Sequence, residues 1–244
     1  IQVKHQYLLR KLLAFNKNIA YLYKDLTARR FKRKNRMKIT LIRQDNGNGK
    51  ETLSVCETNA LFEKIKTETK SGHITALRNI IPMLEGTYGK CEHIDKLPYI
   101  YSAVEYTRTK EGERKMKQYN GLVQLEVGRL ANPSEMEYVK QQAALLPQTF
   151  AAFCGSSGRS VKIWVRFALP DDRGLPTKES EAELFHVHAY RLAVKCYQPM
   201  FPFAINLKEP VLTQKCRMTL DAFPYYNPCL LYTSPSPRDY AASR

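Results

Sequence analysis

One short stretch of the chain, GSSGRSVKIWVRF at residues 155–167, gathers the side chains best suited to holding an anion. Its second half alternates apolar and polar residues, which is typical of a β-strand with one face in the core. Because side chains alternate along a strand, Lys162, Trp164 and Arg166 are predicted to share the opposite face. Two cations beside an aromatic ring suit a phosphate group and the base attached to it.

The loop that precedes this strand is rich in glycine and hydroxyl side chains, which let an anion approach backbone N–H donors. Its predicted binding residues are Ser157, Gly158, Arg159 and Ser160. The loop lacks the Gly-Lys-Ser/Thr signature of a P-loop, and it leads into a strand rather than a helix. Composition therefore leaves two interpretations open, a phosphate-binding turn or an ordinary polar hairpin.

Histidine and cysteine spacing predicts no metal site. His186 and His188 stand two apart in a predicted helix, so they face different directions and cannot share a metal. The six cysteines include no CxxC pair and match no zinc-site spacing. They are predicted to be reduced, mostly buried thiols of a cytoplasmic protein. No run of about 18 apolar residues occurs, so no transmembrane helix is expected.

Hydrophobic periodicity predicts strands and helices in mixed order. The predicted strands cover 37–43, 51–55, 97–107, 121–127, 149–155 and 161–167, with a short strand region at 211–221, and the predicted helices cover 59–70, 73–81, 133–146 and 178–197. Asn132, Pro133 and Glu135 form a capping-box-like start for the third helix. Short connections between strands imply antiparallel pairing, and the mixture predicts a single α+β domain.

The formal net charge of +16 is concentrated at the amino end. Residues 1–36 carry eleven Lys and Arg residues against one acidic residue, so the remaining chain is only mildly basic. The extension has two interpretations, a basic arm that grips nucleic acid or upstream sequence translated ahead of a start at Met37. Composition also changes after Pro228, and residues 229–244 are expected to be a non-native tail. The expected domain therefore spans residues 37–228.

Four motifs, taken in order, carry a family resemblance: KLPYIYSAVEYT, NGLVQLEVGRL, FAAFCGSSGRSVKIWVRF and CRMTLDAFPYYNP. Over residues 37–228 the chain resembles the VirE amino-terminal family, primase-polymerase-like domains on mobile elements of gut anaerobic bacteria. The resemblance implies an archaeo-eukaryotic primase fold and nucleotidyl transfer assisted by Mg²⁺ or Mn²⁺. It also implies DNA or RNA and nucleotides as partners, a helicase-like partner, and a role in replication or mobilisation of an element.

The resemblance assigns roles to particular residues. The superfamily's Asp-x-Asp motif falls on residues 126–128, its Ser-x-His motif on residues 160–162, and its hydrophobic-Asp motif on residues 220–221. Glu126 and Asp221 would hold metal, and Lys162 would contact the nucleotide's phosphates. The other residue implied to bind nucleotide is Arg217.

Gly128 stands where the superfamily has a second carboxylate, so the implied metal site is degenerate. Two hypotheses follow. The domain is a nucleotidyltransferase module with a weakened metal site, or it binds nucleotides or nucleic acid on the same fold without catalysis. Either hypothesis expects Glu126, Lys162 and Asp221 to converge on one cleft.

Overall fold

The computed structural model describes residues 37–44, 51–67, 72–80, 83, 97–169, 174–228 and 230. The helices of these residues are α1 (Thr58–Lys66), α2 (His73–Ile80), α3 (Pro133–Ala144) and α4 (Glu179–Tyr197). Their strands are β1 (Lys38–Gln44), β2 (Glu51–Glu57), β3 (Tyr99–Tyr101), β4 (Val104–Arg108), β5 (Arg114–Tyr119), β6 (Leu122–Val127), β7 (Thr149–Cys154), β8 (Val161–Arg166), β9 (Cys216–Arg217) and β10 (Tyr225–Tyr226). None of the helices within these ranges is long and apolar enough to cross a membrane.

The strands form two four-stranded sheets and one hairpin. The first sheet has the order β2-β1-β3-β9, the second has the order β10-β7-β8-β6, and β4 pairs with β5. Every pairing is antiparallel. This arrangement confirms the α+β class that the sequence predicts.

The second sheet is covered on both faces. On one face, Val123, Leu125 and Ile163 pack with apolar residues of α3 and α4. On the other face, Trp164 and Phe153 pack with residues of α1, α2 and the first sheet. A strand buried on both faces has no solvent side, and every residue of β8 is buried.

Most local predictions agree with these elements. The first hairpin, the helices, and the antiparallel pairing of β7 with β8 are confirmed. The start of α3 is also confirmed, because the Asn132 side chain accepts a hydrogen bond from the Glu135 N–H at 2.9 Å. Glu135 in turn accepts the N–H of Ala131 at 2.7 Å, which satisfies another free donor at the helix start.

Two strand predictions are wrong in extent. Residues 97–107 form two strands rather than one, because the chain leaves the first sheet at Ser102 and turns to pair with β5. Asn120 stabilises the change of direction by donating to the carbonyls of Ser102 and Lys38 at 3.1 and 2.7 Å. The region 211–221 contains only the two-residue β9. The predictions for the two ends concern residues 1–36 and 229–244. Of these, the structure describes only Leu230, which packs against the core that contains Phe62 and Trp164, and the others lie outside the described residues.

Candidate phosphate-binding site

The face of β8 that carries Trp164 lies between the two sheets. Trp164 is 0% exposed, and its indole N–H donates to the Gln124 side chain at 3.0 Å. The rings of Phe62 and Phe153 meet it edge-on, with centroids 5.7 and 5.2 Å away. The expectation of an exposed aromatic ring beside two cations is therefore wrong, because the first sheet and α1 cover this face.

Arg166, at the end of the same face, is also buried. Its guanidinium donates to the Asn120 carbonyl at 3.1 Å and lies 3.9 Å from the Met37 sulfur. These contacts tie the end of β8 to the start of β1. Arg166 therefore makes contacts inside the fold and is not part of an exposed binding surface.

Lys162 is buried like the rest of β8, and its ammonium group belongs to a charge cluster. In the sheet it stands opposite Glu126 of β6, and its Nζ lies 2.6 Å from Glu126 Oε1. The Nζ of Lys208 lies 2.5 Å from the other carboxylate oxygen. Burial alone would raise the pKa of Glu126, but the two ammonium groups outweigh burial and lower that pKa to about 2. The carboxylate is therefore ionised at neutral pH, and each of its two oxygens pairs with a lysine.

The segment at residues 205–217, which carries Lys208, passes beside this cluster. Ile205 bridges to Val127 at the end of β6, and the Asn206 N–H donates to the Glu126 carbonyl at 2.8 Å. Further along, the Lys215 carbonyl accepts from the Gln124 amide at 3.4 Å, two residues before Glu126 on β6. The segment therefore runs along β6, the edge strand of the second sheet.

Lys215 and Arg217 lie on either side of the buried Cys216 and over the Tyr99 ring. The Lys215 ammonium is 4.5 Å and the Arg217 guanidinium 5.6 Å from the centroid of that ring. Burial raises the pKa of the Cys216 thiol to about 11, with smaller effects from the charges of Lys162, Glu126 and Lys208. Sequence reasoning selected Arg217 but missed Lys208 and Lys215, since neither belongs to a motif or a periodic element.

Arg78 of α2 holds the glycine- and serine-rich loop at residues 155–160 from the inner side. The Arg78 guanidinium donates to the carbonyls of Gly155, Ser156 and Leu220 at 3.2, 3.3 and 2.6 Å. A side chain at Gly158, where φ is +70°, would press on Arg78 at 3.3 Å. Two carbonyls of the loop and one from Leu220 therefore bind the same guanidinium. Sequence reasoning missed Arg78, which comes from a helix far away in the chain.

The predicted binding residues of this loop differ in accessibility. Ser160 is buried, while Ser157 and Gly158 are partly exposed and Arg159 is exposed. The Ser157 hydroxyl accepts the Arg159 N–H at 3.2 Å, and the Ser160 carbonyl accepts the Gly155 N–H at 2.7 Å. Among the predicted loop residues, Arg159 is the one whose side chain is fully available to a ligand.

Asp221 belongs to a different charge cluster. Its side chain is 6% exposed, and the Lys140 ammonium lies 3.2 Å from it. It also accepts the N–H groups of Cys154 and Phe223 at 2.8 and 3.0 Å. Strand β8 separates β7, which carries Cys154, from β6, so Asp221 meets the sheet about 10 Å from the strand of Glu126. The expected convergence of Glu126, Lys162 and Asp221 holds for the first two residues only.

This arrangement does not fit the two-cation site that the resemblance implied. Each carboxylate already has lysine at the lone pairs that a metal would use. In the part of the chain that the structure describes, no group of three or more His, Cys, Asp or Glu side chains could hold a metal ion. A Cβ at Gly128 would meet the Asn206 amide at 2.4 Å, so a carboxylate there requires Asn206 to move.

The two histidines of α4 occupy separate environments. His186 is buried, with its Nδ1 3.2 Å from the Tyr119 hydroxyl, whereas His188 is exposed. Burial lowers the pKa of His186 to about 4, so the ring is neutral at neutral pH. The two side chains therefore face different directions, as their spacing predicts.

Comparison with known families gives a different assignment from the motif resemblance. The family model described as BT4734-like, N-terminal domain, matches residues 92–226, which is more than half of the chain. No curated protein and no solved structure matches the chain. The VirE assignment is wrong, because the matching family is a different one, and the association with primases and replication loses its support. The chain belongs to the BT4734-like family, whose N-terminal domain it contains.

Proposed function

We propose that this domain binds the phosphate groups of a nucleotide or a nucleic-acid strand through the basic side chains at the end of the β6–β8 pair. The observation that carries the proposal is the concentration of cations there. Lys162 and Lys208 bind the two oxygens of Glu126, while Lys215 and Arg217, on the segment that runs beside β6, lie over the Tyr99 ring. Such an excess of positive charge attracts a polyanion.

The exposed lysines and the buried lysine have different roles in this proposal. Lys208 keeps 41% of its side chain exposed and Lys215 is exposed, so both can reach phosphate oxygens. Lys162 is buried against Glu126 and supplies a fixed positive field rather than a mobile contact. Glu126 positions the ammonium groups of Lys162 and Lys208 beside each other, which would otherwise repel.

The proposal is for binding rather than for nucleotidyl transfer. The hypothesis of catalysis depended on the resemblance that the family match replaces, and on acids that instead pair with lysine. A cytoplasmic location belongs to the same proposal. The described cysteines, Cys56, Cys154, Cys196 and Cys216, are free thiols, as in a reducing compartment.

Fluorescence anisotropy of a labelled oligo-dT strand at low salt tests this proposal. The Lys208→Gln and Lys215→Gln variants should each weaken binding by roughly three- to fivefold, because each removes one phosphate contact. Oligo-dA should show the same losses, since phosphate contacts carry no base information.

The matched control is Lys178→Gln, which removes an exposed lysine whose partner is Glu181, at the start of α4. It should bind like the wild-type protein. The proposal is wrong if the wild-type protein does not bind the strand at low salt, or if the control loses as much affinity as the two test variants.

A further inference from the structure

Two exposed arginines lie side by side beyond the ends of β6 and β8. Arg129 follows β6 by two residues, and Arg159 precedes β8 by two residues. The ladder between the two strands ends at the pair Val127 with Val161, and each chain continues from there to its arginine. The Leu130 N–H donates to the Arg159 carbonyl at 3.1 Å, so the two backbones are in contact.

Like charges on neighbouring backbones repel, and among the described residues no carboxylate offsets the charges of Arg129 and Arg159. Within the described ranges, neither arginine forms an ion pair with a carboxylate. The carboxylates nearest to Arg129 along the chain are Glu126, which pairs with Lys162 and Lys208, and Glu135, which accepts from the Ala131 N–H and from the Asn132 amide at the start of α3. Both guanidinium groups therefore keep their donors available.

The backbone at Arg129 adds a second observation. Its φ is +59°, the only positive φ at a non-glycine position among the described residues. An L-residue adopts this conformation reluctantly, and glycine or asparagine would adopt it more readily. A long, charged side chain at such a turn is a poor choice for folding alone, so its guanidinium points to a functional role.

We propose that Arg129 and Arg159 form a binding site for a terminal phosphate, either of a nucleotide or of the 5′ end of a strand; this rests on the proposed function above. A guanidinium can bind two phosphate oxygens at once through two parallel hydrogen bonds. Two guanidinium groups therefore suit a phosphate monoester, which has three free oxygens. A diester in the middle of a strand offers two free oxygens and one charge. The lysines around Glu126 would then contact the phosphates that follow.

The test compares two short oligo-dT strands that differ only in the 5′ group, phosphate or hydroxyl, by anisotropy with a 3′ label. The wild-type protein should bind the 5′-phosphorylated strand about tenfold more tightly. Arg129→Asn, which suits the positive φ, and Arg159→Gln should each abolish the preference. The control, Arg191→Gln on the exposed side of α4, should retain it.

Competition with a nucleoside monophosphate and with the free nucleoside identifies the source of the phosphate. Displacement of the strand by the monophosphate alone assigns the site to nucleotides as well as to strand ends. No displacement by either compound assigns it to strand ends.

Equal affinity of the wild-type protein for the two strands overturns the inference while leaving the proposed function standing. A preference that survives both arginine variants overturns it as well. Absence of binding to either strand contradicts both proposals together.

Discussion

Replacement of Asp221 by alanine should destabilise the fold by about 3 kcal/mol, because this carboxylate acts as the partner of a buried lysine. The Lys140 ammonium, 3.2 Å away, is 7% exposed and would lose its closest buried counter-charge. Loss of one member of a buried ion pair costs about 3–5 kcal/mol. Lys140 retains Glu137 at 3.0 Å and the Phe223 carbonyl at 2.9 Å, which places the effect at the lower end.

Equilibrium unfolding in urea measures this change. Lys140→Met combined with Asp221→Leu should recover much of the loss, since an apolar pair leaves no buried charge unpaired. Glu209→Ala is the matched control, because Glu209 is exposed and should change the free energy of unfolding by less than about 0.5 kcal/mol.

A metal-binding role for Asp221 predicts the opposite pattern. Asp221→Ala would then leave the urea midpoint nearly unchanged, and Mn²⁺ would raise the midpoint of the wild-type protein but not of the variant. That combination would refute the assignment of Asp221 to a structural ion pair.

Three further predictions concern buried side chains. Burial lowers the pKa of His186 to about 4, so below about pH 6.5 the unfolded chain binds more protons than the folded protein. The free energy of unfolding should therefore fall by about 3 kcal/mol as the pH is lowered from about 6.5 to 4. Urea titrations at several pH values should show this slope in the wild-type protein and in His188→Gln, and a flatter slope in His186→Phe. Trp164→Ala should cost about 3–5 kcal/mol in urea unfolding, since the ring is fully buried; a loss below 1 kcal/mol would contradict this packing. Arg78→Met should cost about 2 kcal/mol and speed amide hydrogen exchange in residues 155–160, and unchanged exchange there would mean that Arg78 does not brace the loop.

Local signals in the sequence predicted most of the elements correctly. The start of α3 followed from Asn132, Pro133 and Glu135, which act within one helical turn of each other. The hairpin of β7 and β8 followed from the length of its loop. Such features depend on residues close in the chain, so no knowledge of the tertiary fold is needed to predict them.

The environment of β8 could not be predicted in this way. Alternation correctly separated Ile163 from Trp164, but it does not tell whether the polar-looking face meets solvent or a second sheet. The cover comes from Phe62 and from strands β1 and β3, which lie far from Trp164 in the chain. The sequence therefore suggested that Trp164, between two cations, contacts a ligand. In the structure its indole N–H instead donates to the Gln124 side chain.

The candidate site was predicted only in part, again because some of its contacts join residues that are distant in the chain. Glu126 and Lys162 were expected to meet, and they pair directly across neighbouring strands. The partners Lys208 and Lys140 could not be found, because each reaches its carboxylate only through the packing of distant segments. Without these lysines, Glu126 and Asp221 suggested a metal site.

The salt dependence of strand binding tests most directly whether this domain binds phosphate through its clustered cations. Affinity of the wild-type protein for oligo-dT should fall linearly on a log–log plot against salt concentration, with a slope that counts released ions. Combining Lys208→Gln with Lys215→Gln should reduce the slope by about one to two. An unchanged slope in the double variant, or wild-type binding that is insensitive to salt, would contradict the proposal that these cations hold the phosphates.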